Sequence, residues 1–157
     1  MNTHNPKLRY KNVYQFPQDT HDFIKSKIIG TSLHVCCGNS NLGDYHIDIE
    51  KQEAQDKDVF ILADMFHLPI KHQSFDTVIC DPIWNLGYHV RHKLIWELRD
   101  CVKYQGILIF NSLWFPKINT MKLMDLSVGL NNMAFRNVSL VGIYKKIQEQ
   151  FEWDNLT

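Results

Sequence analysis

The chain has 157 residues, 45% of them apolar and 22% charged, and its 17 basic residues balance 17 acidic ones. This length fits one domain that buries roughly 68–70% of its unfolded surface, and the composition excludes wholesale disorder. No apolar run approaches the ~20 residues of a membrane span, the polar start from Met1 to Tyr10 has no apolar signal region, and neutral charge argues against holding nucleic acid by bulk attraction.

Residues 1–17 read as an irregular polar arm of a single domain covering 1–157. Asp19 or Thr20 is expected to cap a short helix reaching Ile29, with Phe23, Ile24 and Ile28 on one face and Gly30 as its stop. A first strand follows, Leu33 to Cys37, running straight into Gly38 and a polar hexamer, Asn39 to Asp44. Tyr45–Ile49, Val59–Ala63 and Thr77–Cys80 read as three more strands. These runs barely alternate, which suits a parallel sheet buried on both faces. Residues 89–103 read as a helix, with Leu94, Ile95, Leu98, Cys101 and Val102 on one stripe. Gly106 opens a fifth strand, Ile107–Phe110. Met124, Leu126, Val128 and Leu130 then alternate with other positions, Asn131-Asn132 signals a turn, and Val138–Ile147 returns. The expected fold is α/β: a three-layer Rossmann-like sheet, mostly parallel, shortened between strands one and two and closed by an antiparallel hairpin.

Four cysteines, Cys36, Cys37, Cys80 and Cys101, form no CxxC pair, so a reducing, cytoplasmic setting is the default. Cys36, Cys37 and Cys80 fall on neighbouring strands, but their spacing is wrong for zinc and no metal is expected. His34 suits a hydrogen-bonded core position.

Three features sit just past strand ends, where ligands bind in open α/β sheets. The first is Cys36-Cys37-Gly38-Asn39-Ser40, small residues that let backbone approach a ligand; a tight turn would have the same composition. The second is a pair of acids, Asp48 and Asp64, able to accept from ribose hydroxyls or an exocyclic amine, or to serve as caps. The third is Asp81-Pro82-Ile83-Trp84. There a carboxylate, a Pro carbonyl and an aromatic ring can form a slot for a flat amine, or a strand-ending turn over a packed Trp.

Residues 33–84 resemble the S-adenosylmethionine site of class I methyltransferases. Val35-Cys36-Cys37-Gly38 is similar to the VCCGTG form of the glycine loop in quinone-pathway methyltransferases. Ala63-Asp64-Met65-Phe66-His67-Leu68-Pro69, with Ser74-Phe75-Asp76-Thr77-Val78, matches the D-x-x-x-L-P…S-F-D-x-V signature. Asp81-Pro82-Ile83-Trp84 resembles the D-P-P-W tetrapeptide of nucleobase amino-methyltransferases. The chain departs from the family at His34, usually Asp, at Cys36 and Ser40, usually Gly, and at Ile83, usually Pro. Gly38 and Asp48 are ten positions apart, where roughly 20 is usual, so the helix start that would meet the methionine carboxylate is missing. Lys11, or another basic residue of the polar N-terminal arm, is a candidate replacement.

The resemblance implies S-adenosylmethionine as cofactor, held by Cys37, Gly38, Asn39, Ser40, Asp48, Asp64, Met65 and Asp81. It gives Asp48 the ribose, Asp64 the adenine amino group and the Met65 backbone N–H the adenine ring. Asp81 and Pro82 would accept from the target amine while Trp84 stacks on the target base. The expected substrate is a nucleobase amino group in DNA or RNA, adenine N6 first, with a protein partner supplying target recognition and no membrane. His89-Val90-Arg91-His92-Lys93 is a basic cluster that could meet a phosphate backbone or form a solvated helix start. Two alternatives stay open: a small-molecule methyltransferase of the quinone-pathway type, and a non-catalytic cofactor-binding partner subunit.

Overall fold

The computed structural model describes residues 16–51, 59–83, 86–133 and 136–148. Its elements are α1 (Gln18–Lys27), β1 (Ser32–Val35), β2 (Tyr45–Asp48), β3 (Phe60–Leu62), β4 (Phe75–Cys80), α2 (Tyr88–Cys101), β5 (Val102–Ser112), β6 (Met121–Met133) and β7 (Arg136–Lys146). They form one seven-stranded sheet in the order β3-β2-β1-β4-β5-β7-β6. The first five strands pair in parallel, and β7 runs antiparallel between β5 and β6.

The unalternating apolar strands behave as expected of a sheet covered on both faces. Every residue of β1 is buried. On one face, Ile24 of α1 packs with Ile79, Ile107, Ile109, Val141 and Ile143. On the other, Leu94, Ile95 and Leu98 of α2 pack with Val78, Leu108 and Phe110. The result is a three-layer α/β Rossmann-like fold. Its short connection between β1 and β2 contains no helix. Leu42, from that connection, is 3% exposed and joins the α1-side core where a helix would otherwise pack.

Several boundaries differ from the sequence expectation, each for a physical reason. Neither Asp19 nor Thr20 caps α1; both lie inside its first turn. The helix starts behind Pro17, whose carbonyl accepts the first helical bond from His21 N at 2.8 Å. It ends at Lys27, short of Gly30, which has φ +53° and whose missing Cβ would lie 2.4 Å from Asp76 Oδ2. Strand β5 begins at Val102, directly after α2, rather than at Gly106. A register shift between Phe75 and Thr77 absorbs the extra residues, with Gln105 at φ +65°. Gly106 is needed there because a Cβ would stand 2.7 Å from the Asp76 carbonyl oxygen. Asn131 and Asn132 belong to β6 rather than to a turn; a register shift between Leu130 and Met133 takes them up. Most of the expected polar arm, residues 1–15 with Lys11, lies outside the described residues, but Phe16 stacks on His34 with ring centroids 5.9 Å apart.

Candidate cofactor and substrate site

The strand registers bring the singled-out residues to one edge of the sheet. Val35 pairs with Ile47 and with Cys80, Asp48 pairs with Leu62, and Cys80 pairs with Phe110. The next positions therefore form a row across five strands at their carboxyl ends: Leu62, Asp48, Cys36, Asp81 and Asn111. Adjacent strands lie about 4.8 Å apart, so Asp48 and Asp81 flank Cys36 roughly 10 Å from each other. This is the edge at which open α/β sheets bind ligands.

The loop after β1 turns sharply at once: Cys36 has φ +56° and Gly38 φ +48°. Several of its backbone N–H groups are taken up within the chain. Cys37 N donates to the Ile47 carbonyl at 3.2 Å, Gly38 N to Asp48 Oδ2 at 2.8 Å, and Ser40 N to the Cys37 carbonyl at 2.9 Å. Ser40 is buried and its Oγ accepts from Leu42 N. His34 is fully buried, and its Nδ1 donates to the Leu42 carbonyl at 3.2 Å. At the far end of the loop, Asp44 accepts from Ser32 N and Ser32 Oγ. Those two bonds, the hydroxyl first, hold its carboxyl below the usual 3.8. The loop is thus a pinned structure standing in for a helix. It offers no helix N-terminus to an anion.

Asp48 ends β2 and ties the loop down through Oδ2, while its Oδ1 accepts from Ile49 N at 2.7 Å. A carboxylate has about four acceptor positions, so this anchoring is compatible with contacts to ligand hydroxyls. Asp64 heads the turn after β3; its Oδ1 accepts from Phe66 N at 2.9 Å and its carbonyl from His67 N at 3.0 Å. Met65, in the same turn, reaches back over β1, with its Sδ 3.4 Å from Cys36 Sγ. Two acids on adjacent strand ends, facing a tight loop, fit a ribose and an exocyclic amine. That donor and acceptor set suits an adenosyl group better than it suits the carboxylate of the cofactor's methionine.

Asp81 follows β4, and its N–H donates to the Val35 carbonyl at 3.4 Å. Its Oδ1 accepts from Nδ2 of Asn111, a buried residue of β5, at 2.9 Å. Pro82 is buried and Ile83 is 58% exposed. Trp84 lies outside the described residues. Sequence reasoning passed over Asn111, although the signal was the one used elsewhere: a polar residue closing an apolar strand. Beneath the row, Cys80 is fully buried; burial first, then the neighbouring Cys36 thiol, keeps its own thiol well above the usual 9.0 and protonated. Among the described residues, no group of three or more His, Cys, Asp or Glu side chains gathers as a metal site. None of their helices is long and apolar enough to cross a membrane.

A methyltransferase-domain family profile matches residues 37–110, which span the loop after β1, the strand-end acids and most of β5. No curated protein matches the chain. Among solved structures, the chain is similar to Burkholderia thailandensis 1,6-didemethyltoxoflavin-N1-methyltransferase with bound 1,6-didemethyltoxoflavin and S-adenosylhomocysteine. The TM-score is 0.66 at 8% identity, covering 83% of this chain and 78% of that one. It is also similar to a protein associated with the conversion of a disulfide bond into a thioacetal group during echinomycin biosynthesis, with TM-score 0.63, 15% identity and coverage of 89% and 87%. A third is a SAM-dependent methyltransferase from Thermotoga maritima, with TM-score 0.52, 18% identity and coverage of 68% and 56%. At these identities the likeness is one of fold. The chain has the fold of S-adenosylmethionine-dependent methyltransferases and carries a methyltransferase-domain match over residues 37–110.

Proposed function

We propose that the chain methylates an amino nitrogen on a flat, base-like ring: an exocyclic amine of a nucleobase in DNA or RNA, adenine N6 first. The observation that carries this reading is the placement of Asp81, a carboxylate at the end of a central strand, beside the glycine loop, with Oδ1 held by Asn111 at 2.9 Å. When bound, S-adenosylmethionine supplies a methyl group on a sulfonium, open to in-line displacement. Asp48 accepts from its ribose hydroxyls, Asp64 from its adenine amino group, and the Met65 backbone N–H meets the adenine ring. The Cys37-Gly38-Asn39-Ser40 loop forms the floor. Asp81 and the Pro82 carbonyl accept from the target amine, draw its lone pair out of conjugation and point it at the methyl. Positioning of this kind supplies much of a displacement rate. Trp84 stacks on the target ring, and a base in a duplex is first flipped out.

A second reading, a small-molecule methyltransferase, is favoured by the likeness to the enzyme that carries 1,6-didemethyltoxoflavin. The deciding experiment follows transfer from methyl-labelled S-adenosylmethionine into single-stranded DNA, RNA and a panel of small heterocyclic amines. Label in a nucleoside amine is the expected result. Asp81→Ala is expected to lower the rate about 100-fold, well beyond any accompanying loss of cofactor affinity by calorimetry, the signature of an interaction made at the reacting amine. Asp64→Ala is expected to weaken cofactor binding at least tenfold, as the loss of a hydrogen bond to a ligand amine does. Label only in small molecules selects the second reading. Cofactor binding without any transfer makes the chain a partner subunit.

A further inference from the structure

Helix α2 carries a row of side chains that neither its packing nor the cofactor site uses. Its inner side is apolar and buried through Leu94, Ile95, Leu98 and Cys101. Its outer side presents Tyr88, His92 and Trp96, each four residues after the last, so the three lie in a row along one side of the helix. Tyr88 and His92 meet edge to face, with ring centroids 5.9 Å apart and planes at 86°, and His92 and Trp96 are tilted at 43° with centroids 6.3 Å apart. Tyr88 is 74% and Trp96 56% exposed. From Tyr88 through Trp96 the sequence holds His89, Arg91, His92 and Lys93 and no acid. Lys93 Nζ donates to His67 Nε2 at 2.8 Å, and His67 Nδ1 lies 3.6 Å from Asp64 Oδ2. The row is therefore joined to the turn that carries Asp64. Its first residue comes seven positions after Asp81 in the chain.

We infer that this row is a stacking track for a single-stranded segment of the nucleic acid substrate, with Lys93 placed for its phosphates. The inference rests on the nucleic-acid reading above. Aromatic faces bind bases without regard to sequence, and cations beside them follow the backbone. Tyr88 to Trp96 spans about 12 Å of helix axis at 1.5 Å per residue, about three or four nucleotides of a stacked strand at 3.4 Å each. A chain with no net charge needs such a surface, because stacking gives affinity where bulk electrostatics cannot. A partner protein would meet an apolar centre with a polar rim; here Arg91 and Lys93 lie in the same stretch of helix as the three rings.

The test is fluorescence anisotropy of labelled 12-nucleotide DNA and RNA strands with the full chain, in parallel with calorimetry of S-adenosylhomocysteine. Trp96→Ala is expected to weaken strand binding about 5- to 150-fold, the factor that 1–3 kcal/mol of base stacking corresponds to. Trp96→Phe is expected to retain most of the affinity, and both variants to bind the cofactor product as the wild type does. The salt dependence is expected to be shallow, with a slope near −0.7 for one phosphate contact, and Lys93→Ala is expected to abolish it. Strand binding by wild type and Trp96→Ala alike overturns the track while leaving the methylation reading intact. Methylation of a free nucleoside with no strand binding by the folded wild type does the same, and reassigns the row to a protein partner. Methylation of small heterocycles alone, with Trp96-dependent strand binding, keeps the track and overturns the substrate reading instead.

Discussion

In the proposed reaction, Asp81 and Asn111 form the pair on which the chemistry turns. A carboxylate beside a reacting amine must be aimed, and the 2.9 Å bond from Nδ2 of buried Asn111 aims it. Asn111→Leu keeps the volume and removes the donor. Hydrogen bonds to charged groups contribute about 1.5–3 kcal/mol, so kcat is expected to fall roughly 10- to 100-fold. Cofactor affinity by calorimetry is expected to stay the same, and a variant that loses affinity in step with kcat would make Asn111 a structural support of the pocket instead. The acids Asp48, Asp64 and Asp81 were legible from the sequence because each directly follows an apolar run that could only be a strand. Asn111 carried the same signal, a polar residue after the apolar run Ile107–Phe110, but its pairing with Asp81 comes from the register of β4 with β5, which composition does not show. The anchoring of Gly38 by Asp48 was equally hidden, because it depends on a loop path that composition does not determine.

Among the elements, the connection between β1 and β2 shows how a missing helix is replaced. Ten positions between Gly38 and Asp48 signalled the shortening in advance. Its substitute could not be foreseen: Leu42 fills the core position, His34 holds the Leu42 carbonyl, and Asp44 returns the chain to Ser32. His34, inside β1, is a side chain that serves this loop. Strand order and hairpin were legible for a simpler reason, since runs of Val, Ile, Leu and Phe admit few other placements. Helix ends and bulges were not, because they depend on tertiary partners such as the Asp76 carbonyl against Gly106. Helix α2 ends on such a partner as well. Lys146 of β7 is fully buried, and its Nζ donates to the carbonyls of Arg99 at 3.1 Å and Val102 at 2.7 Å. Burial lowers its pKa, and nearby Asp100 opposes that. Lys146→Met strands two carbonyls and is expected to cost about 1–3 kcal/mol, read from the urea midpoint. An unchanged or raised midpoint would mean that desolvating the ammonium outweighs the two bonds.

At the scale of the whole molecule, one short ion-pair system joins three parts of the chain on the side of the sheet opposite the site. Asp76 of β4 accepts from Thr31 N at 2.9 Å, ahead of β1, and from Lys103 Nζ of β5 at 3.0 Å. Its carboxyl is held below the usual 3.8, by Lys103 first and then by the Thr31 N–H. Asp44, bonded to Ser32, is lowered in the same direction. A carboxylate whose folded pKa is depressed takes up a proton more readily in the unfolded chain. Its stabilisation is therefore complete above pH 3.8 and lost as pH falls through the folded value. Both groups place the acid limb of the stability curve below about pH 4. Asp76→Asn is expected to melt at a lower temperature than the wild type at pH 7. The difference is expected to shrink as pH falls below 3.8 and to shrink with added salt at pH 7, since the Lys103 partner is half exposed and open to screening. Thermal unfolding of both proteins from pH 7 to pH 2.5 measures it. A gap that stays constant across that range would show that the Asp76 side chain acts through packing against Gly30 and not through its charge.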